Sequence, residues 1–323
     1  MSDRSERERN IFEGAPLERV THLCKDERWV EAQLAASTAR VLPVWRANNL
    51  VSKPTEDSAE GGAEIPILPI SLDVATAQSL AGDHAPLVLL GLVEGTPVFT
   101  ADLSHLDAPL DQLGLAEQAT FADLRELAAV LDRGDSAILA YARALTHWHR
   151  RNGFCGNCGH ATLSVQAGHV RHCGHCDTQH FPRTDPAVIM LVTQGDTCLL
   201  ARRSGRMPPT YSTLAGFVEP GESLEEAVAR EVKEEVGLTV RNMRYQSSQP
   251  WPFPAQLMLG FRAEAIDREC RYTDDEIEEA RWFTRDEVRA LFDGQAAGAA
   301  VAMHLPRRIS IAQRLIRDWL NQR

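Results

Sequence analysis

The 323-residue sequence lacks any apolar run as long as the roughly 18 residues that a membrane-spanning helix needs. Residues 1–10 are mostly Ser, Asp, Glu and Arg, without the apolar segment that a secretory signal contains. These absences predict a cytoplasmic protein that has no membrane partner. We expect the polar first ten residues to form a disordered tail.

Positive charge is also scarce, because the sequence has 34 Lys and Arg against 45 Asp and Glu, which gives a formal net charge of −11. A protein this acidic does not capture polyanions with a broad positive surface. If its substrate is anionic, local arginines or bound cations must hold that substrate.

The seven cysteines do not form an even set of the kind that a disulfide framework requires. Four of them lie within about twenty residues, whereas Cys24, Cys198 and Cys270 are scattered singly. An odd, clustered set without a signal segment favours metal binding in a reducing cytoplasm.

The clustered cysteines form two C-x2-C pairs separated by fourteen residues: Cys155, Cys158, Cys173 and Cys176. Each pair forms a tight knuckle that directs two thiolates at one ion, so two knuckles complete a tetrahedral shell. Because four protein ligands leave no open position, this pattern predicts one structural Zn2+ per chain.

Other interpretations of this module stay open on its residues alone. The thiols could be free and buried, one pair could be redox-active, or the ribbon could bind nucleic acid, although it is poor in basic residues. A neighbouring histidine could also replace a cysteine as ligand: His160, His172, His175 or His180.

Short apolar runs between turn signals predict a β-rich N-terminal domain, with strands at 39–45, 65–70, 87–93 and 96–100. Residues 52–64 are polar and contain two glycines, which predicts a loop. Apolar residues recur on one helical face over 135–149, which predicts a helix leading out of this domain.

The C-terminal half predicts a mixed α/β arrangement. Strands are expected at 187–192 and 197–201 around a hairpin turn, and a third strand at 256–265. Helices are expected at 223–236, where Gly237 supplies a C-terminal cap, and at 303–320.

The helix over 223–236 carries a cluster of carboxylates. Glu231 and Glu235 are four residues apart and share one face, and Glu234 flanks that face. Their mutual repulsion would be relieved by Mg2+ or Mn2+, which prefer oxygen ligands, whereas a merely solvated charged face is the alternative. Arg230 is placed to pair with Glu222 in the preceding loop.

This spacing resembles the box G-x5-E-x7-R-E-U-x-E-E-x-G-U of the Nudix hydrolase superfamily, from Gly216 to Leu238, at every fixed position. The resemblance implies an α/β/α sandwich that hydrolyses a nucleoside diphosphate linked to another group. It also implies that Glu231, Glu235 and the main-chain carbonyl of Ala215 bind the catalytic metal, with Glu234 in a supporting catalytic role.

Residues 248–254 read Ser-Gln-Pro-Trp-Pro-Phe-Pro and resemble the SQPWPFPxS signature of the NADH pyrophosphatase (NudC-type) branch. Here Gln256 replaces the final serine. Prolines stiffen such a loop, and its two aromatic rings either face a base or belong to the core. The resemblance implies substrate contacts along the segment: Gln249, Pro250, Trp251, Pro252, Phe253, Pro254, Ala255 and Gln256.

The remaining positions that resemble this branch are single residues rather than motifs. The same resemblance implies that Glu276 is a third metal-binding carboxylate and that Phe181 and Phe217 flank the nicotinamide. It also implies that Arg125 and the main chain of Ala312 touch substrate, and that the protein is a homodimer. The domain boundaries expected from the sequence are a tail at 1–10, an N-terminal domain at 11–134, a linker helix at 135–152, a zinc ribbon at 153–182 and a Nudix domain at 183–323.

The function implied is metal-dependent hydrolysis of the pyrophosphate of NADH or NAD, giving (reduced) nicotinamide mononucleotide and AMP. Removal of NAD caps from RNA 5′ ends would use the same site. Two alternatives stay open: a Nudix hydrolase for ADP-ribose or another nucleoside diphosphate derivative, and a zinc-ribbon RNA-binding protein with an inactive Nudix domain.

Overall fold

The computed structural model describes residues 9–53, 66–205, 209–272, 276–298 and 303–322. The chain forms two compact units. The C-terminal unit comprises Asp185–Trp251, Gln256–Arg323 and the segment that ends at Ile11, and the N-terminal unit comprises Phe12–Thr184 and Pro252–Ala255. Among the described residues, no helix is both long and apolar enough to cross a membrane.

The C-terminal unit is built on a seven-stranded mixed sheet in the order β11-β10-β9-β14-β13, with β12 paired to β9 and β15 paired to β10. Its strands are β9 (Asp185–Gln194), β10 (Thr197–Arg203), β11 (Tyr211–Ser212), β12 (Leu214–Phe217), β13 (Val240–Trp251), β14 (Gln256–Ala265) and β15 (Ile277–Thr284). Three helices complete the unit: α6 (Leu224–Val236), α7 (Arg285–Ala296) and α8 (Ile311–Asn321).

The apolar run of β9 is buried on both faces of this sheet. Val188, Met190 and Val192 pack with α6 on one side. Ile189 and Leu191 pack with α7 and α8 on the other. Fully burying such a side chain contributes roughly 1.5–3 kcal/mol. The predicted α/β/α sandwich is confirmed.

The N-terminal unit contains a five-stranded sheet in the order β3-β4-β1-β2-β5. Its strands are β1 (Arg40–Trp45), β2 (Asn48–Ser52), β3 (Val88–Val93), β4 (Thr96–Asp102) and β5 (Ala119–Ala122). Its helices are α1 (Glu27–Leu34), α2 (Val74–Ala81), α3 (Pro109–Leu113), α4 (Leu124–Leu127) and α5 (Arg133–Arg151). The β-rich prediction is confirmed, but helices α1 to α4 were not predicted, because short helices of this kind depend on packing more than on periodicity.

Helix α5 is the predicted amphipathic helix, and Asp132 caps its first turn. The face predicted to be apolar is buried throughout: Ile138, Leu139, Ala142, Leu145 and Trp148. The cysteine module follows as a small antiparallel sheet of β6 (Leu163–Val165), β7 (Val170–His172) and β8 (Gln179–His180).

Two predicted elements are wrong in the part of the chain that the structure describes. Residues 66–70 form one isolated bridge, between Pro69 and Val51 of β2, rather than a strand, because Pro66 and Pro69 have no N–H to donate. The last helix begins only at Ile311, since Ser310 caps it and Pro306 precedes it. Of the loop predicted at 52–64, Ser52 ends β2, Lys53 is coil, and 54–64 lie outside the described residues.

The predicted disordered tail is also corrected at its end. Asn10 is buried, and its side-chain Nδ2 donates to the carbonyl of Ser248 at 2.7 Å. A buried side-chain amide that donates a hydrogen bond to a strand carbonyl in this way is held in place. Residues 1–8 of that tail lie outside the described residues.

His149, near the end of α5, is buried as a neutral imidazole. Its Nε2 lies 2.8 Å from the carbonyl of Gly168, and its Nδ1 lies 3.0 Å from a guanidinium nitrogen of Arg171. The guanidinium can only donate, so Nδ1 accepts and Nε2 carries the proton. Burial lowers the pKa of His149 to about 4.

This depressed pKa makes stability depend on pH. The unfolded chain binds a proton at His149 near pH 6.5 and the folded chain only near pH 4, so stability falls as pH drops through that interval. We expect the unfolding free energy to decrease by about 2 kcal/mol from pH 7.5 to pH 5 on this account. Urea unfolding at both pH values measures it.

The matched control is His149→Gln, whose amide can accept from Arg171 and donate to Gly168 without titrating. Its loss of stability between the two pH values should be smaller than that of wild type by about the same 2 kcal/mol. Equal losses in both proteins would contradict the assignment.

Candidate active site and zinc centre

Helix α6 carries the box carboxylates and is held firmly at both ends. Ser223 and Glu226 form a reciprocal capping box at its start, and Gly237 ends it with φ of 73°. The apolar stripe, including Val228 and Val232, is fully buried against the sheet. The helix therefore presents its acidic face in one orientation.

Arg230 gathers three of the carboxylates around one guanidinium, as predicted for Glu222. It lies 2.6 Å from Glu222, 2.9 Å from Glu231 and 2.9 Å from Glu234. It also donates to the carbonyl of Phe217 at 2.8 Å, which ties α6 to β12. Hydrogen bonds from Arg230 lower the pKa of Glu222 and keep it charged.

Gly216 leaves the space that the Glu231 carboxylate fills. A Cβ built on Gly216 would lie 1.9 Å from the Glu231 carboxyl carbon, well inside contact distance. The glycine that opens the box is therefore required by the approach of this side chain to β12. Burial raises the pKa of Glu231.

Arg203, at the end of β10, joins three of the groups predicted to bind the catalytic metal. Its Nη2 donates to the carbonyl of Ala215 at 3.1 Å and to Glu235 at 2.9 Å. Its Nη1 lies 3.5 Å from a carboxylate oxygen of Glu276. Arg203 was not predicted from the sequence, since its place depends on strand pairing.

The predicted metal ligands are thus brought together in one unit. Glu235 is buried, Glu231 is largely buried, and Glu276 is exposed beside them. A guanidinium already lies among the Ala215, Glu235 and Glu276 oxygens, so a cation fits this all-oxygen set, which is the kind that Mg2+ and Mn2+ prefer. Glu234 points outward, and its side chain is 57% exposed.

The Ser-Gln-Pro-Trp-Pro-Phe-Pro segment is the end of β13 followed by a turn, rather than a loop throughout. Pro250 and Trp251 are half-buried on β13, and Gln256 pairs with Trp251 across the hairpin. Pro254 is exposed at the turn, whereas Ala255 is half-buried.

Within the N-terminal unit, the Phe253 ring is only 9% exposed. The guanidinium carbons of Arg125 and Arg143 lie 4.0 and 4.8 Å from its centroid, and Phe12 packs edge-on at 5.9 Å. Pro252, the residue before Phe253, is also buried. Phe253 is therefore an anchor for the turn as well as an aromatic surface.

Gln249 bonds the residues that begin α8, and Ala312 lies in the first turn of that helix. The Gln249 side chain is 1% exposed, and it accepts from Ile311 N at 2.7 Å and donates to Ile309 O at 2.8 Å. Ala312 is also buried, and its main-chain N–H donates to Ser310 Oγ at 3.2 Å. Both residues hold the backbone of this helix start.

The two rings predicted to flank a nicotinamide are both solvent-facing. Phe181, in the N-terminal unit, is 62% exposed, and Phe217, at the end of β12, is 53% exposed. Exposed phenylalanines of this kind offer flat apolar surface to a ligand.

The four clustered cysteines of the N-terminal unit converge as predicted. Their Sγ atoms lie within 4.8 Å of one another, with Cys155 to Cys176 at 3.6 Å and Cys158 to Cys173 at 3.5 Å. Ligands of a tetrahedral zinc–thiolate centre are about 3.8 Å apart, so the set fits Zn2+.

Polar neighbours complete this centre. His180 Nε2 lies 3.3 Å from Cys155 Sγ, so it supports the cysteine without replacing it in the four-sulfur set. Hydrogen bonds from Thr178 lower the pKa of Cys176, which favours the thiolate that a metal requires. His160 and His175 stack at 3.7 Å and, with Cys158, form a second, exposed group of possible ligands.

Comparison with protein-family models matches three consecutive segments. Residues 38–148 match the NADH pyrophosphatase-like rudimentary NUDIX domain, 150–181 the NADH pyrophosphatase zinc ribbon domain, and 183–305 the NUDIX domain. The chain belongs to the NADH pyrophosphatase branch of the Nudix family.

Curated relatives agree with this membership. The NAD-capped RNA hydrolase NudC of Pseudomonas aeruginosa (strain LESB58) is 43% identical over 216 residues, covering 67% of this chain and 74% of the relative. The proteins of the same name from Stutzerimonas stutzeri (strain A1501) and Mycobacterium bovis (strain BCG / Pasteur 1173P2) are 43% and 44% identical. Each covers 72% of this chain, with 77% and 74% of the relative covered.

Among solved structures, the chain is similar to a NUDIX hydrolase from Nitrosomonas europaea, with a TM-score of 0.36 and 20% identity. That match covers 47% of this chain and 98% of the other.

The zinc centre predicts one Zn2+ per chain by elemental analysis of protein purified without added metal. Cys173→Ser should lose this zinc and lower the melting temperature, because the removed thiolate is one of four ligands. Cys270→Ser, which changes a half-buried thiol outside the cluster, is the control and should keep its zinc. Full zinc content in Cys173→Ser would contradict the four-cysteine site.

The packing at Gly216 predicts that Gly216→Ala displaces the Glu231 carboxylate while the fold survives. We expect Mn2+ affinity, measured by calorimetry, to fall by about 10- to 100-fold, the usual cost of disturbing a metal site's support. Gly153→Ala is the control, since an added Cβ there meets nothing within 4 Å. Unchanged Mn2+ affinity in Gly216→Ala would show that Glu231 does not bind the cation.

Proposed function

We propose that this protein hydrolyses the pyrophosphate bond of NADH and NAD, giving (reduced) nicotinamide mononucleotide and AMP, and that it also removes NAD caps from RNA 5′ ends. The observation that carries the proposal is the convergence of the Glu231, Glu235 and Glu276 carboxylates and the Ala215 carbonyl beside α6. The curated relatives named NAD-capped RNA hydrolase support the choice of substrate.

Mg2+ or Mn2+ bound by these oxygens would neutralise the pyrophosphate and lower the pKa of the attacking water. The chain's own residues supply position. Arg230 and the space at Gly216 fix the Glu231 carboxylate, and the capped ends of α6 fix the helix. A cation held in this way would let a chain with a net charge of −11 accept an anionic substrate.

The two ends of the dinucleotide need apolar surface as well as charge. We assign this role to the exposed rings of Phe181 and Phe217 and to the half-buried Trp251. Arg125 stacks on Phe253 and is 48% exposed, so its guanidinium can also meet a phosphate or ribose. The other members of the signature segment are also assigned substrate contacts: Pro250, Pro252, Pro254, Ala255 and Gln256.

Gln249 and Ala312 take part through the main chain in this proposal. The Gln249 amide is occupied by Ile309 and Ile311, so its side chain positions β13 against α8. Substrate contacts at these two residues therefore involve backbone atoms.

Several wider features belong to the same proposal. Zinc has a structural role, and none of the seven cysteines forms a disulfide, which suits a reducing cytoplasm. We also propose that the protein is a homodimer. Its domain boundaries are proposed to lie between residues 134 and 135, 152 and 153, and 182 and 183.

A substrate panel tests the proposal directly. Purified protein with Mg2+ or Mn2+ is offered NADH, NAD, ADP-ribose and a 5′ NAD-capped RNA, and the products are separated by chromatography. Release of reduced nicotinamide mononucleotide and AMP from NADH, abolished by EDTA, is the expected result. Exclusive cleavage of ADP-ribose, or RNA binding without hydrolysis, would refute it.

Glu235→Gln should lower kcat for NADH by at least about a hundredfold, because a neutral amide replaces a buried metal-binding carboxylate. Glu225→Gln, an exposed change on the same helix, should retain wild-type turnover. Circular dichroism and zinc content establish that both variants fold. Near-normal kcat in Glu235→Gln would exclude Glu235 from the catalytic site.

A further inference from the structure

Arg203 contacts the oxygens that the proposed function assigns to a divalent cation. One terminal nitrogen donates to both Ala215 O and Glu235, and the other lies 3.5 Å from Glu276. A guanidinium has five donors in a fixed planar fork, so it can join several oxygens at once. These three oxygens come from β12, from α6 and from the residue just before β15.

Charge makes this contact consequential. The Glu235 side chain is only 5% exposed, and a buried carboxylate without a nearby positive charge is strongly destabilising. Arg203 itself is 47% exposed, so its guanidinium has solvent to move into. The buried partner is therefore fixed, and the cationic partner is free to leave.

A register shift in the sheet places Arg203 at this point. Arg202 pairs with Glu279 of β15 but Arg203 pairs with Ile277, so Glu278 is an extra residue in that strand. Bulges of this kind re-aim side chains beside active sites. Because successive side chains of a strand point to opposite faces, Arg202 is directed elsewhere and pairs with Glu278 and Glu279.

We propose that Arg203 is an internal counter-ion that holds the cation-binding oxygens together and competes with the incoming divalent cation for them. Binding of the cation displaces the guanidinium from Ala215 O and Glu235. The residue thereby sets the affinity of the site for metal and keeps Glu235 compensated before metal arrives. This inference rests on the proposed function only in requiring that these oxygens bind a divalent cation.

The competition between Arg203 and the cation is tested without substrate by titrating the protein with Mn2+. The free ion is measured by its electron paramagnetic resonance signal. Arg203→Gln should bind Mn2+ at least about fivefold more tightly than wild type, because the competing charge is gone. Arg203→Lys keeps a charge but cannot bridge three oxygens, so it should fall between the two. Arg202→Gln, the neighbouring arginine paired with Glu278, is the matched control and should bind as wild type does.

Melting temperature gives a second readout. In EDTA, Arg203→Gln should melt below Arg202→Gln, because Glu235 has lost its partner. Saturating Mn2+ should then raise the melting temperature of Arg203→Gln more than that of wild type. Mn2+ affinity that is unchanged or weaker in both Arg203→Gln and Arg203→Lys, with a normal zinc content, would overturn the proposal.

These outcomes are separable from the proposed function. If wild type fails to cleave NADH but Arg203→Gln still tightens Mn2+ binding, the counter-ion role stands and the substrate assignment fails. If wild type cleaves NADH and Mn2+ affinity does not respond to Arg203, only the counter-ion role fails.

Discussion

Repulsion among carboxylates is the constraint on which this candidate active site depends. Helix α6 and the loop before it place Glu222, Glu231, Glu234 and Glu235 close together, in a chain that is already acidic. Two arginines offset that repulsion from different sides. Arg230 binds three of the four carboxylates, and Arg203 binds the fourth. The site is thus assembled by charge pairing before any substrate charge is added.

The two arginines differ in how permanently they are held. Arg230 is 22% exposed and has four partners, including the Phe217 carbonyl, so it acts as a fixed brace between α6 and β12. Arg203 is about half exposed, at the edge of β10. Arg230 therefore gives stable support and Arg203 gives a charge that can be exchanged, and the two arginines differ in how far each is buried.

Sequence predicted the features that depend on fixed spacing. The carboxylate face of α6, the Arg230–Glu222 pair and the convergence of four cysteines all follow from intervals of a few residues along one or two short segments.

Arg203 was missed because its position depends on a bulge between β10 and β15, which lie some 75 residues apart, and no local pattern encodes it. The predicted strand at 65–70 failed because its two prolines outweighed its apolar residues. Gln249 was placed in a substrate loop, but its long-range bonds to the start of α8 show that part of the signature serves packing.

In the proposed reaction, water attacks phosphorus in the pyrophosphate of NADH, at the site built on α6. Hydrolysis in 18O-labelled water, followed by mass spectrometry of the products, shows which bond water attacks. One 18O atom is expected in the phosphate of either AMP or reduced nicotinamide mononucleotide, and none in the other. Release of free nicotinamide and ADP-ribose, with no label in any phosphate, would mean that the glycosidic bond is cleaved instead and would refute the proposed reaction.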